Sequence, residues 1–185
     1  MTVPPASRRA ALIPFVVGGL LGFIGGYFAA GGGRPRETGN APASVAPGAG
    51  RIDEIRHSLD RDPENPRLWT ALGNAYYDRE DWSHAIGAYE KALRKAPSDP
   101  NVLSDLGASY RNRGEFRRAV GLFTKARAAD PDHWQSLLNL VLVDAFDLRD
   151  PAAADRAFQE LKRRYPDIPN LDRLQQQIDN IKPKA

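Results

Sequence analysis

The sequence predicts an all-α protein: helical hairpins stacked into an α-solenoid, carried behind a single amino-terminal membrane-spanning helix. Two observations predict the solenoid and one predicts the membrane helix. Residues 66–99 and residues 100–133 show the same residue classes at an offset of 34. Each copy splits into two apolar faces of helical spacing around a polar turn. Residues 10–30 carry no charge over a stretch long enough to cross a bilayer.

The repeat is carried by eight aligned pairs. Trp69 falls over Leu103, Leu72 over Leu106, Gly73 over Gly107 and Tyr76 over Tyr110. Further on, Ala85 falls over Ala119, Tyr89 over Phe123, Ala92 over Ala126 and Pro97 over Pro131. A fixed period of this length marks stacked supersecondary units. Trp69, Leu72, Gly73 and Tyr76 form one helix face, and Ala85, Tyr89 and Ala92 form a second. Asp78 to Asp81 and Arg111 to Gly114 are polar turn segments. A mid-helix glycine costs about 1 kcal/mol against alanine. Gly73 and Ala85 therefore predict close helix–helix approach, with Tyr76 and Tyr89 filling the surrounding space. Pro97 and Pro131 end the second helix of each hairpin.

The motif Trp69-x-x-Leu72-Gly73-x-x-Tyr76, then Ala85-x-x-x-Tyr89-x-x-Ala92, then Pro97, resembles the tetratricopeptide repeat (TPR), in its membrane-anchored bacterial type. The second copy replaces the tryptophan of the first position by Leu103. On this reading, residues 66–99 are the first repeat, 100–133 the second and 134–166 a degenerate third. Leu137, Leu140 and Val141 keep the first-helix face of the third, but Asp144 stands where Tyr76 and Tyr110 stood. Ala154, Phe158, Leu161 and Pro166 realign once one extra residue is allowed, placed in the turn from Asp147 to Pro151. A solenoid needs covered ends. Residues 51–65, with Ile52, Ile55 and Leu59 on one stripe, read as an amino-terminal cap. Residues 167–185 read as a carboxy-terminal cap and tail, with a helix from Ile168 to Ile181 and a stripe of Leu171, Leu174, Ile178 and Ile181.

Ahead of the array, residues 1–9 form a short tail holding Arg8 and Arg9. Residues 10–30, at about 1.5 Å per residue, reach roughly 31 Å. A cleaved signal peptide competes with an uncleaved anchor. The anchor is favoured because the run is long and no clear A-x-A site follows Tyr27-Phe28-Ala29-Ala30. Gly18, Gly22, Gly26 and Ala30 recur every four residues, a small-residue stripe suited to self-association or docking on another membrane helix. Glycine is also simply frequent in membrane helices. Arg8 and Arg9 are nearly balanced by Arg34 and Arg36. The short leading tail favours a cytoplasmic amino terminus, with the repeats in the periplasm beside a bacterial inner membrane. Residues 31–50, rich in Gly, Pro and Ala, read as a flexible linker of about 25 Å typical span.

Composition excludes several function classes. No cysteine is present, so thiolate metal sites and lipidated cysteines are excluded. The net charge of +3 belongs entirely to residues 1–50; the remainder holds equal numbers of basic and acidic side chains. A neutral repeat region offers no electrostatic footprint for nucleic acid. His57, His84 and His133 lack partners at metal-ligand spacing and read as solvated residues. Asp144, Asp147, Asp150 and Asp155 lack the spacing of a calcium loop and read as a solvated turn. Arg111, Arg113, Arg117 and Arg118 form a basic turn, either plain surface or a contact for phosphate or an acidic partner. No catalytic motif or cofactor signature appears, so no enzyme is expected.

The resemblance implies a concave face, lined by the first helices, that holds a polypeptide. By position the first repeat contributes Arg67, Thr70, Asn74, Tyr77 and Asp78. The second contributes Asn101, Ser104, Ala108, Arg111 and Asn112, and the third Gln135, Leu138, Asn139 and Leu142. One subfamily clamps a C-terminal carboxylate with basic residues and asparagine. Only Asn74 fits that scheme; Thr70, Asp105, Gln135 and Asn139 hold other clamp positions, and the acid at Asp105 would repel a carboxylate. Leu138, Leu142 and Phe146 admit a second reading, as core under the terminal helix. Two functions stay open. One is a membrane-tethered adaptor that aids assembly of a membrane or envelope complex, as in anchored proteins serving cytochrome c maturation. The other is a structural subunit packed through the glycine stripe.

Overall fold

The computed structural model describes residues 49–182, which form eight α-helices and one π-helical turn, without a strand among the described residues. In chain order they are α1 (Ala49–Arg61), α2 (Pro66–Tyr77), α3 (Trp82–Lys95), α4 (Pro100–Asn112), α5 (Phe116–Ala129) and α6 (Trp134–Leu142). The π turn (Val143–Asp147), α7 (Pro151–Arg164) and α8 (Leu171–Ile181) follow. The expected tail, the span at 10–30 with Gly18, Gly22, Gly26 and Ala30, and nearly all of the linker lie outside the described residues. Among the described residues no helix is long and apolar enough to cross a membrane.

The two clear repeats start alike because their sequences start alike. Asn65 Oδ1 accepts from the Arg67 amide at 3.0 Å. Asp99 Oδ1 accepts from the Asn101 and Val102 amides at 3.0 and 3.2 Å. Each cap is followed by a proline, which supplies no amide to an end that could not bond one. Trp69 and Leu103 therefore stand at equivalent places, each the fourth residue of its helix.

Within each hairpin the helices touch through small residues. Ala85, Ala119 and Ala154 are fully buried, and beside them lie Tyr89, Phe123 and Phe158, at most 1 % exposed. The Tyr89 ring occupies the space over Gly73, and the Phe123 ring that over Gly107. Successive hairpins then stack, α3 against α4 and α5 against α6.

The third hairpin follows the same plan with one added residue. The turn inside each hairpin holds one left-handed residue: Glu80 (φ 58°), Gly114 (φ 80°) and Arg149 (φ 53°). The first interval is 34 residues and the second 35. The expectation put the extra residue in the turn from Asp147 to Pro151. Instead, the last stretch of the first helix widens into a π turn at Val143–Asp147, closed by the Leu148 amide donating to Val143 O at 2.9 Å. A π turn absorbs one residue inside a helix without breaking it.

Both ends are covered. Ile52 and Leu59 of α1 share a core with Leu72, Tyr76, Ala85 and Ile86. Leu171, Leu174 and Ile178 of α8 share one with Leu137, Leu138, Val141 and Leu142. Burial of each such aliphatic side chain stabilises by about 1.5–3 kcal/mol. Helix α8 begins at Leu171, not at Ile168, because Pro169 disfavours a helical Ile168. Ile181 is 37 % exposed and does not join the buried stripe.

Candidate functional site

The first helices of the three hairpins, α2, α4 and α6, lie side by side and touch along one face. Of the expected lining residues, Tyr77, Ser104, Arg111, Asn112 and Asn139 bond from repeat to repeat. Asn112 Nδ2 donates to the Tyr77 hydroxyl at 3.0 Å, tying α4 to α2. Arg111 Nε donates to Asp147, tying α4 to the π turn. Asn139 Nδ2 donates to the Ser104 hydroxyl at 3.4 Å, tying α6 to α4. These bonds fix the register of the face before any partner arrives.

Each remaining residue has a definite state. The Tyr89 hydroxyl donates to Asn74 Oδ1 at 2.7 Å, so the group Asn74 has left for a partner is its Nδ2 donor. The edge of one ring meets the other between Tyr77 and Trp82, 4.9 Å between centroids. Arg67 and Asn101 are exposed, and Gln135 is half-buried. Thr70 is engaged within its own helix, its hydroxyl donating to Pro66 O at 3.0 Å. Asp78 pairs with Arg51 of α1 at 3.3 Å.

Three expectations are corrected. Leu138 and Leu142 are buried, packed in the core that α8 completes, and so belong to the closed end of the solenoid and not to an open lining. Ser104 is buried beneath the face. His133, expected in solvent, is buried as well. It caps α6: Nδ1 accepts from the Ser136 amide at 3.3 Å and from the Ser136 hydroxyl at 2.7 Å. Its Nε2 donates to Asn101 Oδ1 at 3.3 Å. Burial pushes its pKa down, against the opposing charges of Asp130 and Asp99. His57 and His84 are exposed, and His84 Nδ1 lies 2.7 Å from Asp81 Oδ2.

Most members of the two charged turns are engaged within the protein. Asp150 caps α7 by accepting from the Ala153 amide at 2.9 Å, and Asp155 takes Lys182 at 3.0 Å. Asp144 is half-buried, its pKa raised by burial and then by Asp150. Among the described residues no cluster of His, Cys, Asp and Glu could hold a metal ion. Arg113 and Arg118 flank Glu115 at 2.5 and 2.7 Å. Two shallow clefts of about 460 and 310 Å3 lie off the face, one beside Ile168 and Leu171, the other beside Phe116 and Leu148.

One residue of the face was not among the expected binding groups. Asp105 lies 34 positions after Ala71 and 34 before Asn139, so it holds their place on α4. Among the described residues its carboxylate has neither a hydrogen-bond partner nor an ion pair. Burial, with the negative Asp99 adding to it, pushes its pKa up to about 7. The sequence signal was an acid at a face position where the first repeat has alanine.

Comparison with known proteins agrees with this geometry. A family model described as TPR repeat matches residues 73–114, and one described as tetratricopeptide repeat matches residues 104–167. No curated protein matches the chain by sequence. Among solved structures, MamA is similar with a TM-score of 0.65 at 21 % identity, over 72 % of this chain and 71 % of that one. The TPR domain of Arabidopsis OM64 is similar with a TM-score of 0.59 at 17 % identity, over 62 % of this chain and 94 % of its own. The TPR2B domain of yeast Sti1, in a structure titled as a complex with pHsp70, gives a TM-score of 0.55 at 17 % identity, over 72 % and 100 %. These identities speak for the fold alone. The aligned motif, the stacked hairpins and both family models agree: residues 73–167 of this chain belong to the tetratricopeptide repeat family.

Proposed function

We propose that this protein is a membrane-tethered adaptor that holds a segment of a partner polypeptide against the face of α2 and α4. The observation that carries the reading is the row of Asn74, Tyr77, Asn101 and Asn112. These polar groups are exposed or half-exposed, and contacts with neighbouring helices already hold them in place. Such groups suit the backbone amides of an extended segment, and preorganisation lowers the entropic cost of binding it. The yeast Sti1 domain, whose structure is titled as a complex with pHsp70, is a precedent for this fold holding another polypeptide. In this reading residues 10–30 span a bacterial inner membrane and the linker lets the repeats reach a partner in the periplasm. The protein then aids assembly of a membrane or envelope complex, with cytochrome c maturation as one setting. The stripe of Gly18, Gly22, Gly26 and Ala30 meets a second membrane helix.

A structural-subunit reading is favoured by one observation, the cover that α8 places over Leu138 and Leu142. That cover closes the third repeat, while the first two keep their polar face. Pull-down of the solubilised full-length protein separates the two. The adaptor loses its partner on Asn74→Ala with Tyr77→Ala, whereas the subunit loses its partners on removal of residues 1–30. A partner set unchanged by either overturns both.

A further inference from the structure

We propose that Asp105 is a cation-recognition point on this face, and that the bound segment carries a lysine or arginine side chain there. The inference rests on the adaptor reading of the same face and names the chemistry of its partner.

The argument starts from an imbalance. Among the other partly buried acids of the repeats, Asp144 has the opposite charge of Arg156 acting on it, and three more are paired: Asp147 by Arg111, Glu160 by Arg127 and Glu115 by Arg113 and Arg118. Asp105 is not, and the charge acting on it most is that of Asp99, also negative. A half-buried acid without a partner costs stability. Asp105 stands on α4, the middle one of the three first helices. Its charge acts on the hydroxyls of Tyr77 and Tyr89, so it lies near both. Arg111, the basic residue of the same helix face, cannot neutralise it while held by Asp147. An arriving ammonium or guanidinium group would supply the missing pair. The asparagines around it would bond the segment's backbone, so backbone contacts give affinity and Asp105 gives selectivity. A carboxylate-bearing segment would be turned away by the same group.

The test uses the full-length protein and a random peptide library displayed on phage, selected in parallel on the wild type, Asp105→Asn and Asp105→Glu. Selected peptides are then resynthesised with capped ends, and binding is measured by fluorescence anisotropy. The expected result is enrichment of Lys or Arg at one position with the wild type and with Asp105→Glu, and its loss with Asp105→Asn. Asp105→Asn and the peptide's Lys→Ala should each weaken binding at least tenfold, and together no more than either alone. Peptides that bind through Asn74 and Tyr77 but show no basic preference would overturn this inference and leave the adaptor reading standing. Recovery of no peptide by the wild type would overturn both. Circular dichroism of each variant confirms that the fold is retained.

Discussion

The Tyr89 ring occupies the place where a side chain at Gly73 would stand: a Cβ built on Gly73 would come 2.5 Å from Tyr89 Cε1. Gly107 repeats the relationship with Phe123, at 2.6 Å. Helix propensity favours Gly→Ala by about 1 kcal/mol, yet the methyl meets a ring that is fully buried and cannot step aside. We expect Gly73→Ala and Gly107→Ala each to destabilise by about 1–3 kcal/mol net, read from urea denaturation. Gly87, with open space where its Cβ would be, is the control and should be stabilised on the same substitution. A stabilised Gly73→Ala would refute the packing.

The left-handed residue of each hairpin turn gives a second prediction. Gly114 adopts φ 80° without steric cost, while Glu80 and Arg149 take φ 58° and 53° with a side chain attached. Glu80→Gly and Arg149→Gly should each stabilise by up to about 1 kcal/mol, and Gly114→Ala should destabilise by a similar amount. Thermal melts of the three variants check it. A loss of stability in Arg149→Gly would mean that the third hairpin does not share the turn of the first two.

These positions show what was readable in advance. The glycines, alanines and aromatics of the first two repeats announce themselves because contacts inside a hairpin are local and recur with the period. The third repeat was recoverable only with an added residue, and its place was missed. A residue inserted inside a helix shifts the phase just as one in the turn does, and only the bond from the Leu148 amide to Val143 O tells them apart. What depends on distant chain was not readable. Leu138 and Leu142 are buried because α8 folds back onto them. His133 is buried partly because Asn101, a full repeat earlier, receives its Nε2. Asp105 is half-buried because its helix lies between α2 and α6, which the period of the sequence does not show.

Asp105 makes stability depend on pH in an unusual direction. Its folded pKa is raised to about 7, so the folded state holds a proton that the unfolded state releases near pH 4. The associated stability is fully present below pH 4 and is lost as pH rises to about 7. Asp105→Asn should therefore stabilise the protein by about 1–3 kcal/mol at pH 7.5 and by little at pH 4. Urea midpoints of wild type and variant across this range measure the difference. A gap that does not widen with pH would show that the carboxyl is already ionised when folded.

The Arg111–Asp147 pair links α4 to the π turn with side chains only 13 % and 20 % exposed. Removing one partner leaves the other charge poorly hydrated and unmatched. Arg111→Ala and Asp147→Ala should each cost about 1–3 kcal/mol, and the double variant clearly less than their sum. The coupling, taken from a double-mutant cycle of urea denaturation, should exceed about 0.5 kcal/mol. Additive effects would show that the π turn is held by its backbone alone.

His133 supplies the opposite pH slope. Its Nδ1 accepts from the Ser136 amide and hydroxyl while Nε2 donates to Asn101, which the neutral Nε2–H tautomer satisfies. Protonation puts a hydrogen on Nδ1 and breaks the cap, and burial disfavours the charge as well, while Asp130 and Asp99 offset part of this. The folded pKa therefore lies below the ordinary value near 6.5. The stability it contributes is present above that value and is lost as pH falls through the folded pKa. His133→Asn keeps an oxygen for the Ser136 amide and removes the titration. In an Asp105→Asn background, which silences the opposing slope, the parent should lose about 1 kcal/mol relative to His133→Asn between pH 7 and pH 5. An NMR titration of the His133 ring should show a midpoint below 6.5; a midpoint above it would place the ring in solvent and release α6 from this cap.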